Sequence, residues 1–379
     1  MDPCQRLLLE RGYAALHDAP LDRVALGGSL TGVFLGFAGT EFAQVLAASP
    51  TGGSVYAATG FACSVTCGRV SFVLGLQGPC ASYDTACSAS LVGNHSSIRA
   101  LQRNECSTAL SSGVNMILSP ATMRGNAIAG FTSVKGRSHT FDNRADGYAR
   151  GEAIDAITLR PSARSSALRV SQMVGSAIRQ DGRSASLTAP NGQAQQGVLL
   201  ASLQDAGMRA SDATSLEAHG TGTALGDPIE AGSLAAVYLS GWERKDERLA
   251  VGSLKANAGH TEPGAGLSGA LKQLMQLQLQ KMPPNAQLRV LNPYVDASLQ
   301  GNSSMCALPT QVGVLTAAER MSGGVSSFGY AGTLVHLLIH HPSISSAAPL
   351  RDTRIEMESP RRSSFAWTDH SLHSRPSQY

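Results

Sequence analysis

Short apolar runs bounded by glycine alternate along this chain with longer stretches of helical periodicity. This alternation limits the possible folds more than any other feature. Runs over 33–35, 70–74, 108–118, 153–159, 168–176, 249–253 and 335–340 read as strands, the last entered through a glycine turn that follows Val325. Segments 5–17, 88–101, 193–206, 229–239 and 266–280 read as helices, with Leu9, Tyr13 and Leu16 at helical spacing in the first. Apolar strands separated by helices describe parallel strands buried on both faces, so the expected class is α/β.

Composition narrows the function. Of 379 residues, 42% are hydrophobic and 15% charged, which supplies a large core and excludes a disordered chain. The 30 basic and 27 acidic residues nearly balance, and no basic run exceeds Arg361-Arg362, so a nucleic-acid partner is not expected. Seven cysteines in so long a chain argue against a disulfide framework. No apolar stretch reaches the ~18 residues of a membrane span, and Met1-Asp2-Pro3-Cys4-Gln5-Arg6 begins no signal peptide. A cytoplasmic location is the expectation. Beyond His341, Ser, Pro and Arg dominate, so 342–379 reads as a flexible tail or linker.

Four segments carry candidate chemistry. In Tyr83-Asp84-Thr85-Ala86-Cys87-Ser88-Ala89-Ser90-Leu91 a cysteine opens a helix of small residues, where the dipole and free N–H groups favour a thiolate and hold an oxyanion. Most free cysteines are simply buried small hydrophobes, and that reading competes. In Glu217-Ala218-His219-Gly220-Thr221-Gly222-Thr223 a histidine opens a turn whose glycines admit a ligand close to the backbone. In Lys255-Ala256-Asn257-Ala258-Gly259-His260-Thr261-Glu262 a lysine, a histidine and a carboxylate fall within eight residues; for Lys255 and Glu262 a surface ion pair is the plain alternative. In Gly323-Gly324-Val325-Ser326-Ser327-Phe328-Gly329-Tyr330-Ala331-Gly332-Thr333 a small-residue loop with two aromatics suits a gate over a pocket.

Two further patterns carry less. Gly264-Ala265-Gly266-Leu267-Ser268-Gly269 fits the dinucleotide glycine pattern, but no strand leads directly into it and no acid follows about 20 residues on. Cys63, Cys67 and Cys80 lack zinc-site spacing and a nearby histidine, so they read as core packing and no metal is expected.

Taken together, the four segments resemble the β-ketoacyl synthase (ketosynthase) family in its modular type I polyketide synthase form. The family's D-T-A-C-S stands at 84–88, its E-A-H-G-T-G-T and G-D-P at 217–223 and 226–228, and its K-x-N-x-G-H-T-E at 255–262. The resemblance runs from Met1 to about His341. It implies a thiolase-like five-layered α-β-α-β-α fold built from two similar halves, 1–160 with the nucleophile and 161–341 with both histidines, and a homodimer.

The implied reaction is a decarboxylative condensation. Cys87 takes an acyl chain from an acyl carrier protein, and a malonyl-type thioester then extends it. His219 and His260 would stabilise the enolate, with Lys255 and Glu262 orienting the His260 side. The backbone N–H groups of Cys87 and Tyr330 would form the oxyanion hole. Thr221 and Thr223 would bind the phosphopantetheine arm, and Phe328, Gly329, Tyr330 and Ala331 would form the gate. No bound cofactor is implied beyond the carrier's phosphopantetheine.

The chain also departs from the family pattern. The family's first strand lies upstream of Met1 and is expected inside the N-terminal sheet, so its absence predicts a gap there with two exposed sheet edges. In the gate, Leu334 replaces an asparagine whose amide ties the loop down, and Ala331 replaces a glycine. Two other readings stand beside condensation. One is a non-decarboxylating acyltransferase on the same fold; the other is a truncated, inactive copy acting as a dimerisation or docking module.

Overall fold

The computed structural model describes residues 1–342 apart from 20, 40, 163–170, 241–247, 300 and 316–319, so the tail expected over 342–379 lies, but for Pro342, outside the described residues. Residues Met1–Ser343 form one compact unit. Its strands are β1 (Thr31–Phe37), β2 (Cys80–Tyr83), β3 (Thr108–Asn115), β4 (Ala153–Leu159), β5 (Gln172–Gln180), β6 (Ser215–Glu217), β7 (Leu249–Gly252), β8 (Lys281–Met282), β9 (Cys306–Ala307), β10 (Gly313–Val314), β11 (Arg320–Phe328) and β12 (Thr333–Pro342). The helices that matter here are α1 (Pro3–Asp18), α2 (Glu41–Ala47), α3 (Cys63–Leu74), α4 (Ala89–Gln102), α5 (Gly192–Ala206), α6 (Gly226–Leu234) and α7 (Ala265–Leu279).

The first sheet has the order β2-β1-β3-β4, with β4 antiparallel to the rest. The second has the order β5-β12-β11-β6-β7-β9, with β12 antiparallel to β11 and β5 antiparallel to β12. Alternation along the strands divides the side chains between layers. Val33, Leu35, Leu110 and Val114 pack with Leu8 and Leu16 of α1 and Val70 and Leu74 of α3. Phe34 and Ala109 face the other way, against Ala100 and Leu101 of α4. Leu91 and Val92 of α4 then meet Leu267, Ala270 and Leu277 of α7 over Val325, Val335, Leu337 and Ile339 of the second sheet. On that sheet's far face, Leu216 and Leu338 join Leu199 and Leu203 of α5 and Leu234 of α6. Five layers result: α1/α3, first sheet, α4/α7, second sheet, α5/α6.

The helix ends follow their sequences. Asp2 caps α1 through a hydrogen bond from the Cys4 N–H, with Pro3 at the first helical position. Asn191 caps α5, and Gly207, at φ 62°, ends it in the left-handed region.

Two expectations are corrected. The run 70–74 is the last turn and a half of helix α3, not a strand: Val70 and Leu74 are buried while Phe72 and Val73 between them are exposed, which is helical spacing. The first sheet has no internal gap, since β1 hydrogen-bonds β2 on one side and β3 on the other in continuous register. Smaller shifts occur at element ends. The strand expected over 108–118 stops at Asn115, and the one expected over 168–176 is β5, with 168–170 outside the described residues. The helix expected over 229–239 is α6 followed by a π-helical turn, Ala235–Leu239.

Candidate active site

The nucleophile candidate sits where β2 turns into α4. Ala86 holds φ at 52°, and the 3₁₀ turn Ala86–Ser88 then presents Cys87 at the helix start. The turn is braced from the second sheet, where the Ser327 hydroxyl donates to the Cys87 carbonyl at 2.7 Å. Gly329 passes so close that a Cβ there would overlap the Thr85 carbonyl oxygen.

His260 and His219 come from loops after β7 and β6, at the ends of parallel strands where α/β folds place their sites. His260 is fully buried, and its Nε2 lies 3.0 Å from Cys87 Sγ. Its Nδ1 accepts from the Glu262 N–H at 3.2 Å, so the ring hydrogen of the neutral imidazole is on Nε2, facing the sulfur. His219 repeats the pattern: its Nδ1 accepts from the Phe328 N–H at 3.3 Å, leaving Nε2 as donor. The two rings stand edge to face at 5.7 Å. Burial, and then the nearby Lys255 charge, hold both histidines well below the usual histidine range, so both are neutral N–H donors.

The thiol behaves otherwise than expected from its helix start. Burial first, and the Glu262 charge second, push the Cys87 thiol up to about 12, against the opposing effects of Lys255 and of the backbone N–H groups of Cys87 and Tyr330. Desolvation outweighs the helix dipole, and the resting residue is a thiol rather than a thiolate. Those same two N–H groups bear on the sulfur.

Lys255 is buried, and its own affinity for a proton is lowered by burial while Glu217 and Glu230 oppose that shift. The Glu262 carboxylate does not bond His260. It receives the Arg150 guanidinium, Nε at 2.8 Å and Nη2 at 2.7 Å, while Nη2 also meets Glu41 of α2 at 2.6 Å. Only the backbone of Glu262, at φ 48°, touches the imidazole. Arg150 in turn fixes His260 through a backbone bridge: Gly151 N–H donates to the His260 carbonyl and His260 N–H to the Ala149 carbonyl, each at 2.7 Å.

Sequence reasoning missed Glu41, Arg150 as a bridge, and Glu230. The Glu230 carboxylate accepts from the His219 and Gly220 N–H groups at 2.7 and 2.8 Å and so shapes the His219 turn; burial raises it to about 7. The turn's second anchor, Asp227, lies in the G-D-P triplet and accepts from the Gly222 and Phe141 N–H groups. A carboxylate about one helical turn beyond a Gly/Thr loop is the available sequence signal for Glu230.

Thr221 and Thr223 stand hydroxyl to hydroxyl at 3.2 Å, in a cavity of about 200 Å³ shared with Cys87, His219 and His260. Of the gate residues, Phe328 is buried against His219, at 5.5 Å between rings, whereas Tyr330 is 54% exposed and leans on Phe131. The loop expected to act as a gate is tied despite Leu334. That side chain is buried with Ala177, Val198 and Phe328, and Gln180 Nε2 donates instead to the Ala331 carbonyl at 3.0 Å. The three cysteines weighed as a metal site lie apart from this centre: Cys63 and Cys67 are on α3 and Cys80 begins β2.

Residues 1–165 match the family described as "Beta-ketoacyl synthase, N-terminal domain", and residues 170–289 match "Beta-ketoacyl synthase, C-terminal domain". The chain belongs to the β-ketoacyl synthase family. Enzymes of this family are acyltransferases, and the ketosynthase domains of polyketide synthases catalyse decarboxylative Claisen condensation through a cysteine thioester.

Among its curated relatives, a phenolphthiocerol/phthiocerol polyketide synthase of Mycobacterium tuberculosis is 40% identical over 92% of this chain and 19% of the relative. "Erythronolide synthase EryA2" of Saccharopolyspora erythraea is 39% identical over 92% of the chain and 10% of the relative. The chain thus spans a fifth or less of the length of these relatives. Among solved structures, the ketosynthase from module 6 of the bacillaene synthase of Bacillus subtilis 168 matches with a TM-score of 0.79 and 30% identity, over 90% of this chain and 60% of that one. The oxazolomycin ketosynthase domain OzmH KS7 of Streptomyces albus gives 0.81 and 28%, over 92% and 61%. The ketosynthase fold is the thiolase-like one expected from the resemblance. Among the described residues, no helix is long and apolar enough to cross a membrane.

Proposed function

We propose that this ketosynthase chain extends an acyl group by one malonyl-type unit, with loss of CO₂. Cys87 Sγ attacks the carbonyl of an acyl thioester delivered on the phosphopantetheine of an acyl carrier protein. The Sγ–C bond forms, the pantetheine sulfur leaves with the thiol proton, and the backbone N–H groups of Cys87 and Tyr330 receive the tetrahedral oxyanion. A malonyl thioester then enters the cavity shared by Thr221, Thr223 and the histidines, with the threonine hydroxyls holding the pantetheine arm. Its C–CO₂ bond breaks, and the enolate oxygen accepts hydrogen bonds from His219 and His260. The enolate carbon attacks the Cys87 thioester, the C–C bond forms, and the Sγ–C bond breaks with its electron pair going to the sulfur, which takes a proton from water and returns to the thiol.

One observation carries this reading: two imidazoles, His260 fully buried and His219 half-buried, each with Nδ1 occupied by a backbone N–H, present neutral Nε2–H donors to one cavity at Cys87. Donors that need no reorganisation favour the enolate over the neutral thioester. A transfer without decarboxylation has no need of the pair. Lys255 acts through charge, keeping both rings neutral, and Glu262 acts through its backbone and through Arg150.

The partner is an acyl carrier protein, and the assembly is a homodimer. Support for the dimer comes from the outer edge of β2, which has no strand beside it among the described residues, and from Phe72 (86% exposed) and Val73 on the adjoining α3.

The test begins with intact mass after incubation with an acyl thioester, wild type against Cys87→Ala. One acyl group should be gained in the wild type alone. A malonyl carrier added next should release CO₂ and discharge the adduct as a lengthened chain. A folded protein that never acylates overturns the enzymatic reading in favour of a docking module; one that acylates but transfers without decarboxylation overturns condensation.

A further inference from the structure

The turn that follows His260 is held from both halves of the molecule. Its Glu262 N–H donates to His260 Nδ1, and its Gly264 N–H donates to the Thr261 carbonyl at 3.0 Å. The Thr261 methyl lies against Gly151, where a Cβ would stand 3.3 Å from it, and the Gly151 N–H bonds the His260 carbonyl. Whatever fixes Thr261 therefore bears on the ring that faces Cys87. Thr261 is buried, and its hydroxyl stands 3.2 Å from the Ser268 hydroxyl in the first turn of α7.

Ser268 is buried too, and its hydroxyl donates to Asp155 Oδ2 of β4, in the first sheet. Asp155 shares with Ile157 the face of β4 that meets α7. Its cross-strand neighbour on β3 is Gly113, where a Cβ would lie 3.0 Å from Gly264 Cα. Burial pushes the Asp155 carboxyl up to about 6, opposed by the Ser268 hydroxyl. Of the charged groups on the elements packed around it, Glu262 is taken by Arg150 and Lys272 of α7 by Glu217. α1, with Arg6, Glu10, Arg11, His17 and Asp18, covers the opposite face of β4, that of Ile154 and Ala156. Hydrogen counting gives the chain of hydroxyls a direction. Ser268 has one hydroxyl hydrogen, with Asp155 Oδ2, the Gly264 carbonyl at 3.2 Å and Thr261 Oγ1 all in reach. An ionised carboxylate only accepts, and it takes that hydrogen, so Ser268 accepts from Thr261. A protonated carboxyl donates instead. The Ser268 hydrogen is then released to Gly264 or Thr261, and the single order is lost.

Resting on the condensation reading above, we propose that Asp155 is a positioning residue for His260, acting through Ser268 and Thr261. Ionised, it aligns the Thr261 and Ser268 hydroxyls toward itself and so holds the turn that keeps the His260 Nε2–H aimed at Cys87. Protonated, it lets that turn loosen. Condensation therefore weakens at acid pH through a group that never touches substrate.

The experiment uses the full chain acylated on Cys87 by butyryl N-acetylcysteamine, which removes the thiol from the titration. Single-turnover release of CO₂ from malonyl N-acetylcysteamine is then followed from pH 5 to 8. Asp227 and Glu230, raised by burial to about 6 and about 7, titrate in the same range, so the readout is the ratio of variant to wild-type rate, in which they cancel. Asp155→Asn still accepts from Ser268 but cannot ionise. Its ratio should be near one at pH 8 and several-fold higher at pH 5, with half the change near pH 6. A carboxyl raised in the native state gives up its stabilisation as the pH climbs through its native value. Relative to Asp155→Asn, the wild type should therefore lose stability from pH 4 to 7, on the order of 10²-fold in the unfolding constant. Ser268→Ala cuts the link to Thr261 and should lower the rate several-fold at pH 8, which keeps a test open if the Asp155 variant fails to fold. A flat rate ratio alongside that stability change makes Asp155 a structural carboxylate only and overturns the inference. So does a Ser268→Ala rate equal to the wild type's at pH 8. An acylated wild type that releases no CO₂ at any pH overturns the condensation reading itself.

Discussion

The two sheets repeat one plan with different margins. In the first, β2-β1-β3 run parallel and β4 antiparallel; in the second, β7-β6-β11 run parallel and β12 antiparallel. The second sheet then adds β5 beside β12 and β9 beside β7, whereas among the described residues the outer edges of β4 and β2 have no strand. Strand burial follows this difference. β12 is buried along most of its length, while β4 is half-buried throughout. Neighbours, not strand composition alone, decide how much of a strand is removed from water. The chemistry is divided the same way. The end of β2 delivers the thiol, and the ends of β6 and β7 deliver the two donors, so the site exists only where the halves meet.

That division is broken most completely by removing the proposed nucleophile. Cys87→Ala should abolish acyl adducts in intact mass while leaving the unfolding midpoint nearly unchanged. Next come the donors of the second half. His219→Ala and His260→Ala should each lower the condensation rate by about 10²–10³-fold, as loss of one preorganised donor does elsewhere. The double variant should fall by less than the product, because in the proposed reaction the two act on one oxygen. Acylation by a reactive thioester should fall less than condensation in both single variants; equal losses in the two steps would show that the histidines act on the thiol instead.

The thiol's burial gives a smaller but distinctive effect. With Cys87 raised to about 12, only about one sulfur in a thousand is ionised at pH 9. Alkylation of Cys87 by iodoacetamide, followed by peptide mapping, should rise about tenfold per pH unit from 7 to 10 with no plateau. In the denatured chain the same residue should level off near its ordinary value. A plateau below pH 8 in the native protein would restore the helix-start reading of a resting thiolate.

Much of this site is legible from the order of residues alone, and the reasons are local. Cys87, His219 and His260 stand in runs of small residues that make little sense as surface loops, and each follows a strand within eight residues. What escapes depends on distance or on competing physics. Glu41, Arg150 and Glu262 are joined only by folding, across separations no periodicity reveals. The run 70–74 has strand composition and helical burial, an ambiguity that short apolar runs always carry. The dipole at the start of α4 is visible, but the desolvation that outweighs it is not. The expected gap in the first sheet fails because β1 pairs with β3 directly, a matter of strand order that the sequence does not state.

The smallest effects lie in the gate, which joins the two halves. Gly329 approaches Thr85 from the second sheet, and Leu334 sits beneath with Phe328 and Val198. Leu334→Asn, which restores the family's residue, should cost about 1–3 kcal/mol by chemical denaturation, because an amide would enter an apolar cluster without a partner. Gln180→Ala removes only the tie to the Ala331 carbonyl. That bond is solvent-exposed, and water can replace it, so the cost should be about 0.5–1.5 kcal/mol at most, with acyl loading changed less than threefold. A larger loss of loading in Gln180→Ala than in Leu334→Asn would mean that this one hydrogen bond, rather than the packing beneath it, sets the position of the Tyr330 N–H over Cys87.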